Sequence, residues 1–212
     1  MKILVVVMKS TKRNANVHRG RHVIRFYSKK NGCVLKLEGF LELWLACKLD
    51  NNMSVQCFAS QPEEVVHEIN GQKRRFTPDF LVNYTDGTSE YIEIHHEDFT
   101  DAEYEAKVKE FSRYTRITNG WAIKLICSGD LNELELVNYQ LISDCKSEKL
   151  SFDINEIAYP DTISFGELVN ILEKISPTPI PDSYYLIAIG VYTFDTNTFL
   201  TSDTPLSRRV LP

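Results

Sequence analysis

Apolar residues recur at helical spacing through Leu37, Phe40, Leu41, Trp44, Leu45 and Leu49, which predicts an amphipathic helix ending near Asp50-Asn51-Asn52. The pattern then turns strand-like. Short alternating or apolar runs at 54–58 and 65–69, an Asn70-Gly71 turn and a longer run at 74–84 read as strands. Thr85-Asp86-Gly87 suits a three-residue hairpin loop with glycine in the left-handed position, and 88–95 is the returning strand. Helical spacing resumes over 101–118, a buried strand over 121–127 and a helix over 131–142. After a polar stretch at 144–151, Phe165, Leu168, Val169, Leu172 and Ile175 mark another helix, which three prolines between 177 and 181 should stop with a rigid break. A short apolar segment at 184–189 and a hairpin of 191–194 with 198–201 around Asp195-Thr196-Asn197 complete the chain. Strands and helices in this order predict a mixed α/β domain, with a domain boundary near Ser147.

Composition narrows the class. The 212 residues are 43% hydrophobic and 25% charged, ordinary values for a globular chain, and no apolar run approaches the ~18–20 residues of a membrane span. Ile3–Val7 reads as a buried strand rather than a signal peptide, so a cytoplasmic location without membrane partners is expected. Cys33, Cys47, Cys57, Cys127 and Cys145 are scattered and never form a CxxC pair, which predicts reduced, mostly buried thiols and neither a disulfide framework nor a zinc site. The net charge of −5 conceals an asymmetry: residues 1–37 hold ten Lys/Arg and no acid, while the remaining 14 basic residues face all 29 acids. A basic arm that includes Lys12, Arg13, Arg19 and Arg21, with His18, His22, Phe26 and Tyr27 interspersed, suits phosphate contact or docking on an acidic surface.

The chemistry concentrates in the predicted hairpin. A loop at 85–87 pairs 84 with 88, and counting outward makes Asp79 the cross-strand neighbour of Glu93. The strand period of two puts Tyr91, Glu93 and His95 on one face, and Ile92 and Ile94 on the other, toward the core. Directly opposed carboxylates repel unless a cation intervenes. With Glu42 on the preceding helix, and Glu38 one turn earlier as a second choice, they form an oxygen-rich set suited to Mg²⁺ or Mn²⁺. Such an ion would polarise a phosphodiester and activate a water. His96, Glu97 and Asp98 extend the polar cluster, but adjacent strand residues point to opposite faces and are poorly placed to share a transition metal.

Thr77-Pro78-Asp79-Phe80-Leu81-Val82, Asp86-Gly87 and Tyr91-Ile92-Glu93-Ile94-His95 together resemble the PD-(D/E)xK motif of TnsA-like endonuclease subunits of heteromeric transposases. Glu42-Leu43 at the start of an apolar helix and Gln61-Pro62 after a short strand resemble the same family, and the resemblance spans roughly 34–142. It implies a restriction-endonuclease-like mixed sheet flanked by helices and an endonuclease that cuts DNA at transposon ends. Glu42, Asp79 and Glu93 would be metal ligands for Mg²⁺ or Mn²⁺, and a DDE-type transposase subunit and an ATP-dependent transposition regulator would be partners.

The final motif position departs from the family: His95 stands where lysine is usual. Histidine, with a reference pKa near 6.5, is not a permanent cation. Three readings follow: a nuclease using His95 as ligand, donor or base, a nuclease drawing its cation from Lys73, Lys107 or Lys109, or a degenerate adaptor of the same assembly. A restriction or defence nuclease shares the motif. The helix, helix and hairpin of the tail resemble the small winged-helix-like domain of the family, which implies partner binding. The expected organisation is therefore a basic arm with strands at 1–36, a nuclease-like domain at 37–147 and a winged-helix-like domain at 148–212.

Overall fold

In a computed structural model of the chain, residues 23–69, 71–145 and 149–209 are described. The chain divides into two compact units, Met1–Leu131 and Asn132–Pro212. The predicted strand at Ile3–Val7 and the arm residues Lys12, Arg13, His18, Arg19, Arg21 and His22 lie outside the described residues.

The first unit opens with a ribbon of β1 (Ile24–Ser28) and β2 (Cys33–Leu37), followed by helix α1 (Phe40–Asn51). Strand β3 (Val55–Ser60) leads to a second ribbon, β4 (Val65–Ile69) and β5 (Gln72–Phe76), and then to β6 (Phe80–Tyr84) and β7 (Ser89–His95). Helix α2 (Ala102–Thr118) crosses to β8 (Ile123–Cys127). The main sheet has the order β3-β6-β7-β8, antiparallel except for the parallel β7–β8 pair that the α2 crossover permits. It is a mixed sheet within a mixed α/β fold flanked by helices. No helix among the described residues is long and apolar enough to cross a membrane.

The run at 74–84 is two strands rather than one. β5 pairs with β4 and β6 with β3 and β7, and the chain leaves strand geometry at Thr77-Pro78-Asp79. Pro78 has no amide hydrogen to offer a ladder, so the sheet is broken where the motif begins. The hairpin register follows the three-residue loop: Phe80 pairs with Ile92, Tyr84 N–H donates to the Thr88 carbonyl (2.9 Å), and Gly87 takes φ 86°. One face of the sheet sends Leu81, Tyr91 and Ile123 against Val108 and Phe111 of α2. Phe80, Val82, Ile92 and Ile94, of opposite parity, are buried as well.

Helix α1 is not amphipathic as its spacing predicts. Glu42, Trp44, Leu45, Ala46, Cys47, Leu49 and Asp50 are all buried, whereas Phe40 is exposed. Contacts with β1 and β2 as well as β3 and β7 account for burial around most of its circumference. The first ribbon is tied to it by Asp50, which is 3% exposed and accepts from the Ser28 hydroxyl (2.5 Å) and the Lys30 amide (3.1 Å). The ribbon's turn also covers the edge strand β3. The Asn31 side chain donates to the Phe58 carbonyl (2.8 Å) and accepts from its amide (3.0 Å), while Lys30 Nζ donates to the Asn52 and Val55 carbonyls. Of the five cysteines, all free thiols, only Cys47 is buried and Cys33 is exposed, so the expectation of mostly core thiols does not hold.

The second unit contains α3 (Glu133–Cys145), β9 (Thr162–Ser164), α4 (Phe165–Leu172), α5 (Pro179–Ala188), β10 (Tyr192–Thr193) and β11 (Pro205–Arg208), with sheet order β10-β11-β9. Leu168, Leu172, Leu186, Tyr192 and Leu206 form its core, to which Ile142 of α3 belongs. α3 thus packs into the C-terminal unit, which begins at Asn132 rather than near Ser147. Two tail expectations change. Pro179 and Pro181 do not prolong a break but start α5, where a first turn needs no amide hydrogens. Strand β10 pairs with β11, not with 198–201. The intervening turn is held instead by Asn138 of α3, whose amide donates to the Thr196 and Thr198 carbonyls (both 2.8 Å).

Asp50→Ala should destabilise the protein by about 2–3 kcal/mol, because Ser28, wholly buried, loses its acceptor. Chemical denaturation compared with Asp50→Asn, which keeps an acceptor, measures the loss; equal stability of wild type and Asp50→Ala removes the anchoring role.

Candidate active site

Asp79 and Glu93 come together where the Pro78 break meets the centre of the sheet. The Asp79 main chain is fastened by the Gln61 amide, which donates to its carbonyl (2.6 Å), and its Oδ2 accepts from the Ile94 amide (2.8 Å). Gln61 itself has φ 47°, the one positive φ at a non-glycine among the described residues. A strained backbone position beside the motif acid marks a place where the surrounding structure dictates geometry. The Gln61-Pro62 element singled out in the sequence therefore acts through its backbone, as a brace for Asp79.

Glu93 is 7% exposed. The Tyr104 hydroxyl of α2 donates to its Oε1, while its Oε2 is buried with no hydrogen-bond partner. Burial, and then the neighbouring Asp79 charge, pushes the Glu93 carboxyl up from 4.5 to about 8. Burial followed by the Glu93 contact raises the Tyr104 phenol, which stays neutral and remains a donor. The position of Tyr104 is set by helix capping: Asp101, the N-cap of α2, accepts from the Tyr104 amide (2.8 Å).

His95 is built into the same corner. Its ring stacks on Tyr104 with centroids 4.0 Å apart and planes 13° from parallel. Its Nδ1 lies 2.9 Å from the Thr100 hydroxyl, whose own hydrogen goes to the His96 carbonyl (2.8 Å). Nδ1 is thereby assigned as the donor, leaving Nε2 of the neutral ring as an acceptor. Burial, with smaller contributions from His96 and Lys107, lowers the His95 pKa, so the ring is neutral at pH 7 and does not supply the cation that a motif lysine would.

A cation is nevertheless present. A cleft of about 300 Å³ is lined by Glu64, Arg75, Phe76, Thr77, Glu93, Tyr104 and Lys107. Lys107 Nζ sits 5.3 Å from the Phe76 ring centre and 5.4 Å from that of Tyr104, and its charge draws the Glu93 pKa down. Of the three lysines offered by the sequence, this one lies in the cleft. Lys73 faces Glu68 across the second ribbon, and Lys109 is exposed on α2.

The third predicted acid is differently engaged. Glu42, buried, turns back to accept the Glu38 amide (2.9 Å) at the start of α1, where Gly39 offers no side-chain cap. Among the described residues no three His, Cys, Asp or Glu side chains form a group that could hold a metal ion. The structure thus brings Asp79 and Glu93 together, with His95 beside them, and shows Glu42 accepting the Glu38 amide. Asp79 and Glu93 fit a hard divalent ion in ligand chemistry and in the orphaned Oε2. His96 and Asp98 pair within their own turn, 3.6 Å apart. Tyr104 and Arg75 went unrecognised as site residues in the sequence. The i, i+3 spacing of Tyr104 and Lys107 on a helix following the motif strand was the available signal.

Neither a scan against protein-family models nor a search of curated proteins finds a match for this chain.

Between pH 4.5 and about 8 the folded state holds a Glu93 proton that the unfolded chain releases. Stability from this group is therefore complete at acid pH and lost as pH rises through that window. The melting temperature of metal-free protein should fall from pH 5 to pH 8, and less steeply in Glu93→Gln. A variant with the full wild-type slope overturns the assignment of the raised pKa to Glu93.

Proposed function

We propose that the chain is a divalent-metal-dependent endodeoxyribonuclease subunit hydrolysing phosphodiester bonds at the Asp79–Glu93 site. The observation that carries this reading is the buried Glu93 carboxyl group beside Asp79, whose Oε2 has no hydrogen-bond partner among the described residues. Two carboxylates this close repel each other when both are ionised, and a cation relieves the repulsion. Asp79 and Glu93 would hold Mg²⁺ or Mn²⁺, which when bound supplies Lewis-acid activation of the phosphate and charge stabilisation. Tyr104 orients Glu93 through its hydroxyl. His95 Nε2 accepts the proton of the attacking water. Lys107 at the cleft wall offsets the charge that grows on the phosphate oxygens as the P–O bond to the leaving strand breaks.

The setting, strand cleavage at transposon ends with a DDE-type transposase and an ATP-dependent regulator, rests on the resemblance over 34–142. The restriction-endonuclease-like identity of the sheet belongs to the same reading, supported by a carboxylate just before β6 and another on its antiparallel neighbour β7, and by the crossover to β8. The order α3-β9-α4-α5-β10-β11, with β11 central in the small sheet, is winged-helix order and supports a partner-binding role for the second unit. A second reading, a non-catalytic adaptor of such an assembly, is favoured by the neutral His95 and by the engagement of Glu42 at its helix start.

With Mg²⁺ or Mn²⁺, transposon-end DNA and the cognate transposase, Asp79→Ala should reduce strand cleavage at least ~100-fold and Lys107→Ala by a similar factor. His95→Lys in the Lys107→Ala background should restore part of the loss. Cleavage indifferent to Asp79→Ala sinks the site, and wild-type protein that neither cleaves nor takes up Mn²⁺ by calorimetry establishes the adaptor.

A further inference from the structure

The first unit has two ribbons outside its main sheet, and their charges are arranged in opposite ways. On β4–β5 the cations are matched: Lys73 stands opposite Glu68, Arg74 reaches Glu110 (3.6 Å) and Arg75 reaches Glu64 (3.1 Å). On β1–β2 they are not. Strand alternation turns Ser28, Leu35 and Leu37 inward and leaves Arg25, Tyr27, Val34 and Lys36 exposed on the other face. The register sets Arg25 directly opposite Lys36, and Tyr27 opposite Val34. Like charges facing each other across a ribbon destabilise it, and residues 1–37 contain no acid to offset them. Neither Arg25 nor Lys36 has a hydrogen-bond or ion-pair partner among the described residues. Tyr27 and Val34, 57% and 56% exposed, make the same face amphipathic.

We propose that this outward face of β1–β2 binds the backbone of duplex DNA, Arg25 and Lys36 each neutralising a phosphate and the Tyr27 hydroxyl donating to a neighbouring phosphate or sugar oxygen. The choice of DNA as the polyanion rests on the nuclease reading above. The ribbon suits the task in shape and in anchorage. A two-stranded ribbon enters a major groove roughly 12 Å wide. Asp50, Lys30 and Asn31 lock the inward side and the turn of this one to α1 and β3, so the cations are presented from a fixed support. Phosphate contacts of this kind position a protein on the duplex without reading its sequence.

The test is binding of the full chain to a 30-base-pair duplex by fluorescence anisotropy, in EDTA so that cleavage cannot intervene, across a range of salt concentrations. Arg25→Gln/Lys36→Gln should weaken binding at least ~10-fold near 0.1 M salt and reduce the log–log salt slope by about 2, since each phosphate contact contributes about 0.9. Arg113→Gln/Arg116→Gln, which removes the same charge from the exposed surface of α2, should change the affinity less than ~2-fold. The ribbon variant should melt no lower than wild type, because it relieves a cross-strand repulsion, which separates lost binding from lost folding. Equal affinity and slope in the ribbon variant and wild type overturn the proposal, as does an equal loss in the α2 variant. Anionic vesicles that bind wild type but not the ribbon variant, with DNA binding unchanged, assign the face to a membrane and overturn it too. Failure here is distinguishable from failure of the nuclease reading: cleavage that depends on Asp79 with no ribbon effect leaves the nuclease standing, and ribbon-dependent binding without cleavage leaves the ribbon standing.

Discussion

Glu93 is buried at the centre of the main sheet beside a second carboxylate, and much of the first unit is organised around tolerating that. A buried acid is costly unless it is protonated, hydrogen-bonded or matched by a cation. The chain supplies a donor to one oxygen from Tyr104, a lysine at the cleft, and an Asp79 clamped to the Ile94 amide. Among the described residues nothing donates to the second oxygen. The Gln61 amide, at a residue of positive φ, fastens the Asp79 main chain through its carbonyl.

The positive charge of this corner does not come from the strand. Stacked on Tyr104 and hydrogen-bonded to Thr100, His95 is held as a neutral ring, and a cation arrives from outside β7, Lys107 of α2. Lysine on a flexible stem can reach a cleft from a helix turn as readily as from a strand, so a neutral histidine at position 95 still leaves the cleft with a cation. The same helix that positions Tyr104 through the Asp101 cap carries Lys107 one turn later. A single element thus sets both the donor and the cation.

The two peripheral ribbons show how surface charge divides labour. Around β4–β5 each exposed cation of β5 has an acid at hand, as befits a wall of the cleft. The outward face of β1–β2 keeps its cations uncompensated on a tightly anchored base. In the second unit the polar investment is internal. Buried Asp182 gathers the hydroxyls of Ser151 and Ser176 at the start of α5, and Ser164 and Glu167 cap α4 reciprocally. Those devices stabilise short helices that could not persist alone.

By itself, the sequence determined the local geometry of the hairpin. The length of the 85–87 loop set the register, the register placed Asp79 level with Glu93, and the period of two separated Glu93 from Ile92 and Ile94; these are properties of neighbouring residues and need no tertiary information. From α1 onward the order of helices and strands in the first unit follows from the same local periodicities, apart from the division of 74–84. What only the tertiary structure decided depends on elements distant in the chain. Whether Glu42 meets the pair or caps its own helix, whether Lys73, Lys107 or Lys109 enters the cleft, and whether α1 shows one apolar face or is enclosed are set by packing between elements. The split of 74–84 and the pairing of β10 with β11 rather than with 198–201 have the same origin. A backbone hydrogen bond goes to the partner that packing brings nearest, and a side-chain pattern does not name that partner.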